Sequence, residues 1–217
     1  MALNEKEKAQ GFSVSDKSVC LVGCGGLGCN AAVHLAGAGV GELILCDFDT
    51  VSPSNLNRQF LYTPSDTGKS KCLTAGERLS AYSRDTRITC IEKKILQPED
   101  MSFAKDCDIV VLAVDNPEAR RAVEGFCRDE KTPLVCGGID GFYGVCYLYI
   151  PDASPTPEEA GLNEGRGAEH NVSSTAGIIG SLQAEIALRY LLTGDIGLAG
   201  KLTVYDEGRF DVLEIKI

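Results

Sequence analysis

The sequence predicts an α/β fold: a mostly parallel sheet flanked by helices, with an antiparallel extension at the C-terminal end. Three observations carry that expectation. Residues 17–47 run as an apolar segment, a glycine-rich turn, an alanine- and leucine-rich segment of helical length, and a second apolar segment. That is the first β-turn-α-β unit of a doubly wound sheet. Residues 108–113, DIVVLA, are apolar without alternation, as strands covered on both faces are. Residues 144–150 alternate instead, and 201–217 read as two strands around a Glu207-Gly208 turn, so the end of the chain leaves the parallel pattern.

The elements follow in order. Residues 17–23 form the first strand, 27–38 a helix ended by glycines, and 42–47 (ELILCD) the second strand. The polar stretch 48–66, with two prolines, leads to a helix that Ser65 or Asp66 can cap and that runs to Tyr82. Residues 87–91 and 108–113 supply the third and fourth strands. Pro117 opens a helix to Asp129, at a first-turn position where no amide is needed, and 133–136 is the fifth strand. Residues 151–169 hold three prolines, four glutamates and three glycines without periodicity, the mark of a functional or disordered loop. Its charges argue for mobility over packing. A long helix over 173–192 precedes the terminal hairpin. The whole reads as one Rossmann-like domain over residues 1–217, with 1–16 an N-terminal arm and 151–172 a mobile crossover loop.

Composition narrows the function. The net charge of −10 disfavours extensive contact with RNA or DNA, which depends on neutralising phosphates. No run of about 18 apolar residues occurs, so no transmembrane helix is expected. The polar start MALNEKEKAQG lacks a secretory pattern, so the ten cysteines are expected as reduced thiols in a cytoplasm. There is no C-x-x-C, and only two histidines are present to help the dispersed cysteines, so no zinc site is expected.

Gly23-x-Gly25-x-x-Gly28, with Gly26 in a variable position, has dinucleotide-loop spacing: the glycines admit a tight turn and let amides approach a phosphate. Asp47 ends the second strand 19 residues past Gly28, where a carboxylate can accept from ribose hydroxyls. These two features alone fit an NAD(P)- or FAD-binding oxidoreductase. The next segment is unusual for one. Ser54-Asn55-Leu56-Asn57-Arg58-Gln59 puts a cation and several amides beside the nucleotide loop, and Lys71, preceded by Lys69, follows 13 residues after Arg58. An arginine fork and a lysine point charge suit a triphosphate under attack. Asp115-Asn116 ends the fourth strand, where ligands of open α/β sheets bind, and a carboxylate there can hold Mg²⁺ against phosphates. The plainer alternatives are that Arg58 and Lys71 are solvated surface charges and Asp115 a helix cap.

The chain resembles the ThiF/MoeB/HesA family, bacterial relatives of the ubiquitin-activating enzymes. The resemblance rests on VGCGGLGCNAAVHLAGAGVGELILCDFDTVSPSNLNRQFL, on GKSK, on DIVVLAVDN, and on GSLQAEIALRYLLTG followed by KLTVYD, and it spans residues 17–206. It implies ATP- and Mg²⁺-dependent adenylation of the C-terminal Gly-Gly carboxylate of a ubiquitin-like sulfur carrier (ThiS/MoaD-like), with release of pyrophosphate. It further implies that Gly26 lies against the nucleotide, that Asp47 binds ribose, that Asn55, Arg58 and Lys71 contact the phosphates, and that Asp115 organises the magnesium. Gln59 and Asn116 belong to the same ATP-binding set. The family is commonly dimeric, so a homodimer is expected.

Three departures matter. Residues 1–16 contain no arginine, whereas many members carry an N-terminal arginine that reaches the neighbouring subunit's ATP; Lys6, Lys8 or Lys17 are the replacements within reach. The family's zinc-binding C-x-x-C pairs are missing, and the crossover loop has no cysteine for covalent capture of the carrier. Sulfur would then come from a separate donor. These absences fit a short ThiF-like subgroup acting on a thiamine-type sulfur carrier. Other targets within the family are a peptide or a tRNA-linked carboxylate, the latter disfavoured by the acidic balance; a catalytically silent binding module is a further alternative.

Overall fold

The computed structural model describes residues 13–163 and 170–215. Its centre is one eight-stranded sheet in the order β3-β2-β1-β4-β5-β6-β7-β8. The strands are β1 (Ser18–Val22), β2 (Glu42–Cys46), β3 (Arg87–Ile91), β4 (Ile109–Leu112), β5 (Leu134–Asp140), β6 (Tyr143–Tyr149), β7 (Lys201–Asp206) and β8 (Arg209–Glu214). Strands β1 to β5 pair in parallel, and β6 to β8 add antiparallel strands, as the sequence predicts.

The period-two geometry of a strand sends each apolar run to two cores at once. Val19, Leu21, Leu43, Leu45, Ile109 and Val111 face one cluster, under helices α1 (Gly26–Ala38), α2 (Lys71–Tyr82) and α4 (Ser173–Thr193). Cys20, Val22, Ile44, Cys46, Val110 and Leu112 face the other, under helix α3 (Pro117–Asp129) and the 3-10 segment Pro98–Ala104. Strand order reverses between β1 and β4, and that switch opens a crevice at the carboxyl ends of the strands.

Several boundaries differ from the sequence reading. The second helix starts at Lys71, capped by Ser70, whose Oγ accepts from the Leu73 amide at 3.3 Å. Pro64–Asp66 is a separate 3-10 turn, cut from the helix by Gly68 at φ +86° and by an isolated bridge between Thr50 and Ser70. The fifth strand runs through Gly137-Gly138 to Asp140, because antiparallel pairing with β6 holds the glycines that read as a stop. The 3-10 segment Pro98–Ala104 has no helical or strand periodicity and was not anticipated.

The described part of the crossover loop is anchored to the sheet at a few points. Pro157 and Asn163 are buried, and Tyr147 Oη donates to the Pro155 carbonyl at 2.6 Å. Residues 164–169 of that loop, and residues 1–12 of the arm with Lys6 and Lys8, lie outside the described residues. Lys17 precedes β1, at the sheet end opposite its own chain's crevice, beside Asp16 and Asp108.

Candidate nucleotide site

A cavity of about 770 Å³ occupies the crevice, within the roughly 300–1,000 Å³ of small-molecule sites. Gly23, Gly25, Gly26, Asp47, Asn55, Arg58, Gln59, Lys71, Asp115 and Asn116 all line it. Residues spread over almost a hundred positions are thus brought to one opening by the ends of β1, β2 and β4. Gly28 alone of the expected set does not. A Cβ there would lie 1.9 Å from the Gly23 carbonyl oxygen, so this glycine lets α1 pack on its own loop rather than admit a ligand.

The loop geometry follows from what a side chain would meet. Gly23 has φ +98°, and a Cβ on it would lie 2.6 Å from the Ala113 carbonyl. A Cβ on Gly26 would sit 3.3 Å from the Arg58 stem and from Ala176, so the glycine lets Arg58 lie flush on the first turn of α1. That turn has neither a side-chain cap nor an acidic residue, which leaves its amides and dipole open to an anion.

Asp47 is tied to the same loop. Its Oδ2 accepts from the Cys24 amide at 2.6 Å and its Oδ1 from the Asp49 amide at 2.8 Å. Each oxygen keeps a lone pair for a ribose hydroxyl. Burial pushes its pKa above the ordinary carboxylate value, against the opposing pull of those two amides. Beneath the loop, Tyr62 Oη donates to the Cys24 carbonyl at 2.8 Å.

Lys71 is not a solvated surface charge. It is 6% exposed, and its Nζ lies 3.0 Å from Asp49 Oδ2. Arg58 donates from Nη1 to the Ser54 carbonyl and to Asn57 Oδ1, and makes no ion pair among the described residues. Its charge is therefore available to a ligand. Asn55 spends Oδ1 on the Ser52 amide, which leaves its NH2 as donor. Gln59 is 3% exposed with no hydrogen bond to Oε1, an orphaned polar atom on the cavity wall.

The helix cap at the end of the fourth strand belongs to Asn116, whose Oδ1 accepts from the Ala119 amide at 3.1 Å. Asp115 is exposed and free of that duty. Among the described residues no cluster of three or more His, Cys, Asp or Glu could hold a metal unaided.

The sequence reading missed Lys93, Lys94, Arg120 and the Gly137-Gly138 strip, all on the cavity wall. Five cations, Arg58, Lys71, Lys93, Lys94 and Arg120, meet four acids there, Asp47, Asp49, Asp115 and Asp140, giving +1 locally in a chain of −10. The signal for Arg120 was its place four residues after the Asn116 cap, which turns it back toward the strand ends. The ten cysteines are all free, and nine are buried. Burial pushes Cys29 and Cys46 to about 12, far from thiolate reactivity. His34 Nε2 and Ser181 Oγ share a hydrogen bond of 3.0 Å between α1 and α4.

A Rossmann-like domain with an uncapped glycine-loop helix and a cation cluster at its strand switch has the architecture on which open α/β sheets commonly bind nucleotides. The chain belongs to the ThiF family, which matches residues 3–217. It is 35% identical over 218 residues to the adenylyltransferase and sulfurtransferase MOCS3 of Drosophila virilis, covering 95% of this chain and 47% of that protein. It is 32% identical over 197 residues to the sulfur carrier protein ThiS adenylyltransferase of Escherichia coli (strain K12), covering 88% of this chain and 78% of that one. The chain thus spans about half the length of the MOCS3 relatives it matches. Among solved structures, that of E. coli MccB with ATP superposes with a TM-score of 0.81 at 23% identity, over 93% of this chain and 64% of that one, which establishes a shared fold. Among the described residues no helix is long and apolar enough to cross a membrane.

Proposed function

We propose that this chain is a single adenylation domain that uses ATP to activate the C-terminal Gly-Gly carboxylate of a ubiquitin-like sulfur carrier, releasing pyrophosphate. One observation carries the reading: Arg58, without an ion pair among the described residues, and a buried Lys71 converge with the open amides of α1 in a cavity that continues past Asp115 to the Gly137-Gly138 strip. Cations near the glycine loop serve the phosphates, and the cavity beyond Asp115 leaves room for the carboxylate-bearing tail. The relatives named for sulfur carrier adenylation support the same substrate class.

In this reading Asp47 orients the ribose and the amides near Gly25 and Gly26 receive the α-phosphate. Arg58, Lys71 and the NH2 groups of Asn55 and Gln59 hold the β- and γ-phosphates. The attacking carboxylate closes on the α-phosphorus, and negative charge builds on the leaving pyrophosphate. Positive charge already fixed at those oxygens lowers the barrier without any protein nucleophile. Asp115 and the phosphates would hold Mg²⁺, which takes one or two carboxylates plus water and supplies further neutralisation of the phosphate charge. Sulfur then comes from a separate donor, since no described cysteine is an exposed thiolate. A homodimer and a thiamine-type carrier complete the proposal. The relative that this chain spans most fully among those compared above is the ThiS adenylyltransferase.

The test is ATP–pyrophosphate exchange with and without a small carrier protein ending in Gly-Gly. Carrier-dependent exchange is expected. Tight NAD(P) or FAD binding without exchange would replace this reading with the oxidoreductase alternative.

A further inference from the structure

Arg120 is a buried cation that none of the motifs above employs. It lies one turn after the Asn116 cap, is 7% exposed, and lines the cavity. Its Nη1 donates to the Val114 carbonyl at 2.9 Å and to the Gly137 carbonyl at 3.0 Å. Those carbonyls lie beyond the last β4–β5 ladder pair, Leu112 with Cys136, where backbone pairing between the two strands has stopped. One guanidinium therefore replaces the ladder at the point where β4 delivers Asp115 and β5 begins its glycine strip.

The same side chain reaches the wall. Nε donates to Asn163 Oδ1 at 3.3 Å, and Asn163 is 1% exposed. The Asn163 NH2 donates in turn to Glu124 Oε2, which also accepts from the Glu158 amide at 3.1 Å. A continuous run of buried polar atoms thus joins the cavity floor to residues 156–163, of which Ala160, Gly161 and Leu162 line the cavity. A buried guanidinium is tolerated only when its donors are matched, and its planar fork fixes their directions.

We infer that Arg120 is a positioning residue, which sets the gap between the Asp115 end of β4 and the wall at 156–163. Through that gap it governs entry of the carboxylate-bearing chain. This rests on the adenylation reading. The sheet order supports the assignment to that substrate rather than to the nucleotide: β5 and β6 lie two or three strands from β1, about 5 Å per strand, so the wall stands away from the glycine loop.

The experiment compares Asn163→Ala and Arg120→Lys with wild type, using MgATP and a synthetic peptide ending in Gly-Gly in pyrophosphate exchange, together with amide hydrogen exchange over 113–116 and 156–163. Arg121→Ala is the control, since that neighbour holds the same segment only by an exposed ion pair to Glu158. Asn163→Ala is expected to lose amide protection at 156–163 and to raise the peptide KM about tenfold with the ATP KM within about twofold. Arg120→Lys should do the same, lose protection at 113–116 and lower kcat as well. Arg121→Ala should change none of these. Equal rises in both KM values, or an unchanged peptide KM in an Asn163→Ala protein that has lost protection, overturns the inference. If wild type itself shows no exchange, the adenylation reading fails, and the positioning role is then judged on protection alone: unchanged protection in Arg120→Lys overturns it.

Discussion

The charges in and behind the crevice do different work because they differ in burial and pairing. Arg58 lies against the first turn of α1 without an acidic partner among the described residues, so its charge is spent on whatever anion binds there. Replacing it with alanine should lower the rate of carrier-dependent pyrophosphate exchange about 10²–10³-fold, by comparison with single oxyanion-stabilising donors. An exchange rate within twofold of wild type would sink its assignment to the phosphates. Glu124 is the opposite case, a carboxylate whose pKa burial raises above the ordinary value in spite of the Asn163 and Glu158 donors. Between the ordinary and the raised value the native state holds more protons than the unfolded chain, so stability falls as pH rises through that window. Above it, the full cost of the buried charge remains. Glu124→Gln keeps an acceptor for both donors and removes the charge, so it should match or exceed wild type in urea at pH 7.5. Its advantage should shrink at pH 4, below the window; an advantage that grows on acidification contradicts the account.

Helix α1, which lines the cavity through Gly26 and Leu27, packs closely against α4. A Cβ on Gly180 would lie 2.3 Å from the Leu27 carbonyl oxygen and 2.9 Å from Asn30 Cβ. Gly180→Ala must push the helices apart, and an overpacked contact of this kind costs about 1–3 kcal/mol. The expected result is a lower urea midpoint together with weaker MgATP binding, because the displaced helix carries the glycine loop. Loss of stability with unchanged nucleotide affinity would mean that the loop does not follow α1. This close approach explains what was legible at the level of elements. The apolar strands, the glycine turn and the long C-terminal helix announce themselves through local pattern, and Asp47, Arg58, Lys71 and Asp115 fall at strand ends and turns where function concentrates. The Gly137-Gly138 strip and the wall at 156–163 do not, since each is held by side chains distant in sequence. Gln183, fully buried, donates to the Leu112 carbonyl at 2.8 Å, and a Cβ on Gly137 would collide with it. The place of Arg120 one turn after the Asn116 cap directs it toward the strand ends, but its sequence neighbourhood does not reveal that Val114, Gly137 and Asn163 converge on it.

Across the whole molecule, a chain of net charge −10 carries a cation-rich cleft at the strand switch. Long-range attraction therefore gives no help to a polyanion, and affinity for a nucleotide must come from contacts inside the cleft. The bipartite sheet divides those contacts. Its parallel half leads into the glycine loop and Asp47, with Arg58 and Lys71 beside them, while the strip beyond Asp115 belongs to the part of β5 that pairs antiparallel with β6. An oxidoreductase built on the same loop would need that second half to face a nicotinamide or flavin ring, and the cations between would stand idle. The two readings differ in which ligand stabilises the fold. A ligand that binds only the native state adds about 2.7 kcal/mol at a hundredfold excess over its Kd. MgATP should therefore raise the thermal midpoint in a concentration-dependent way, and NAD⁺ and FAD at equal concentration should not. The gain should fall in Lys71→Ala, whose buried amine faces the cavity beside Asp49, and should need Mg²⁺ for its full size. Stabilisation by NAD⁺ or FAD exceeding that by MgATP would reverse the assignment, because the same backbone loop accepts either pyrophosphate and only the residues around it distinguish them.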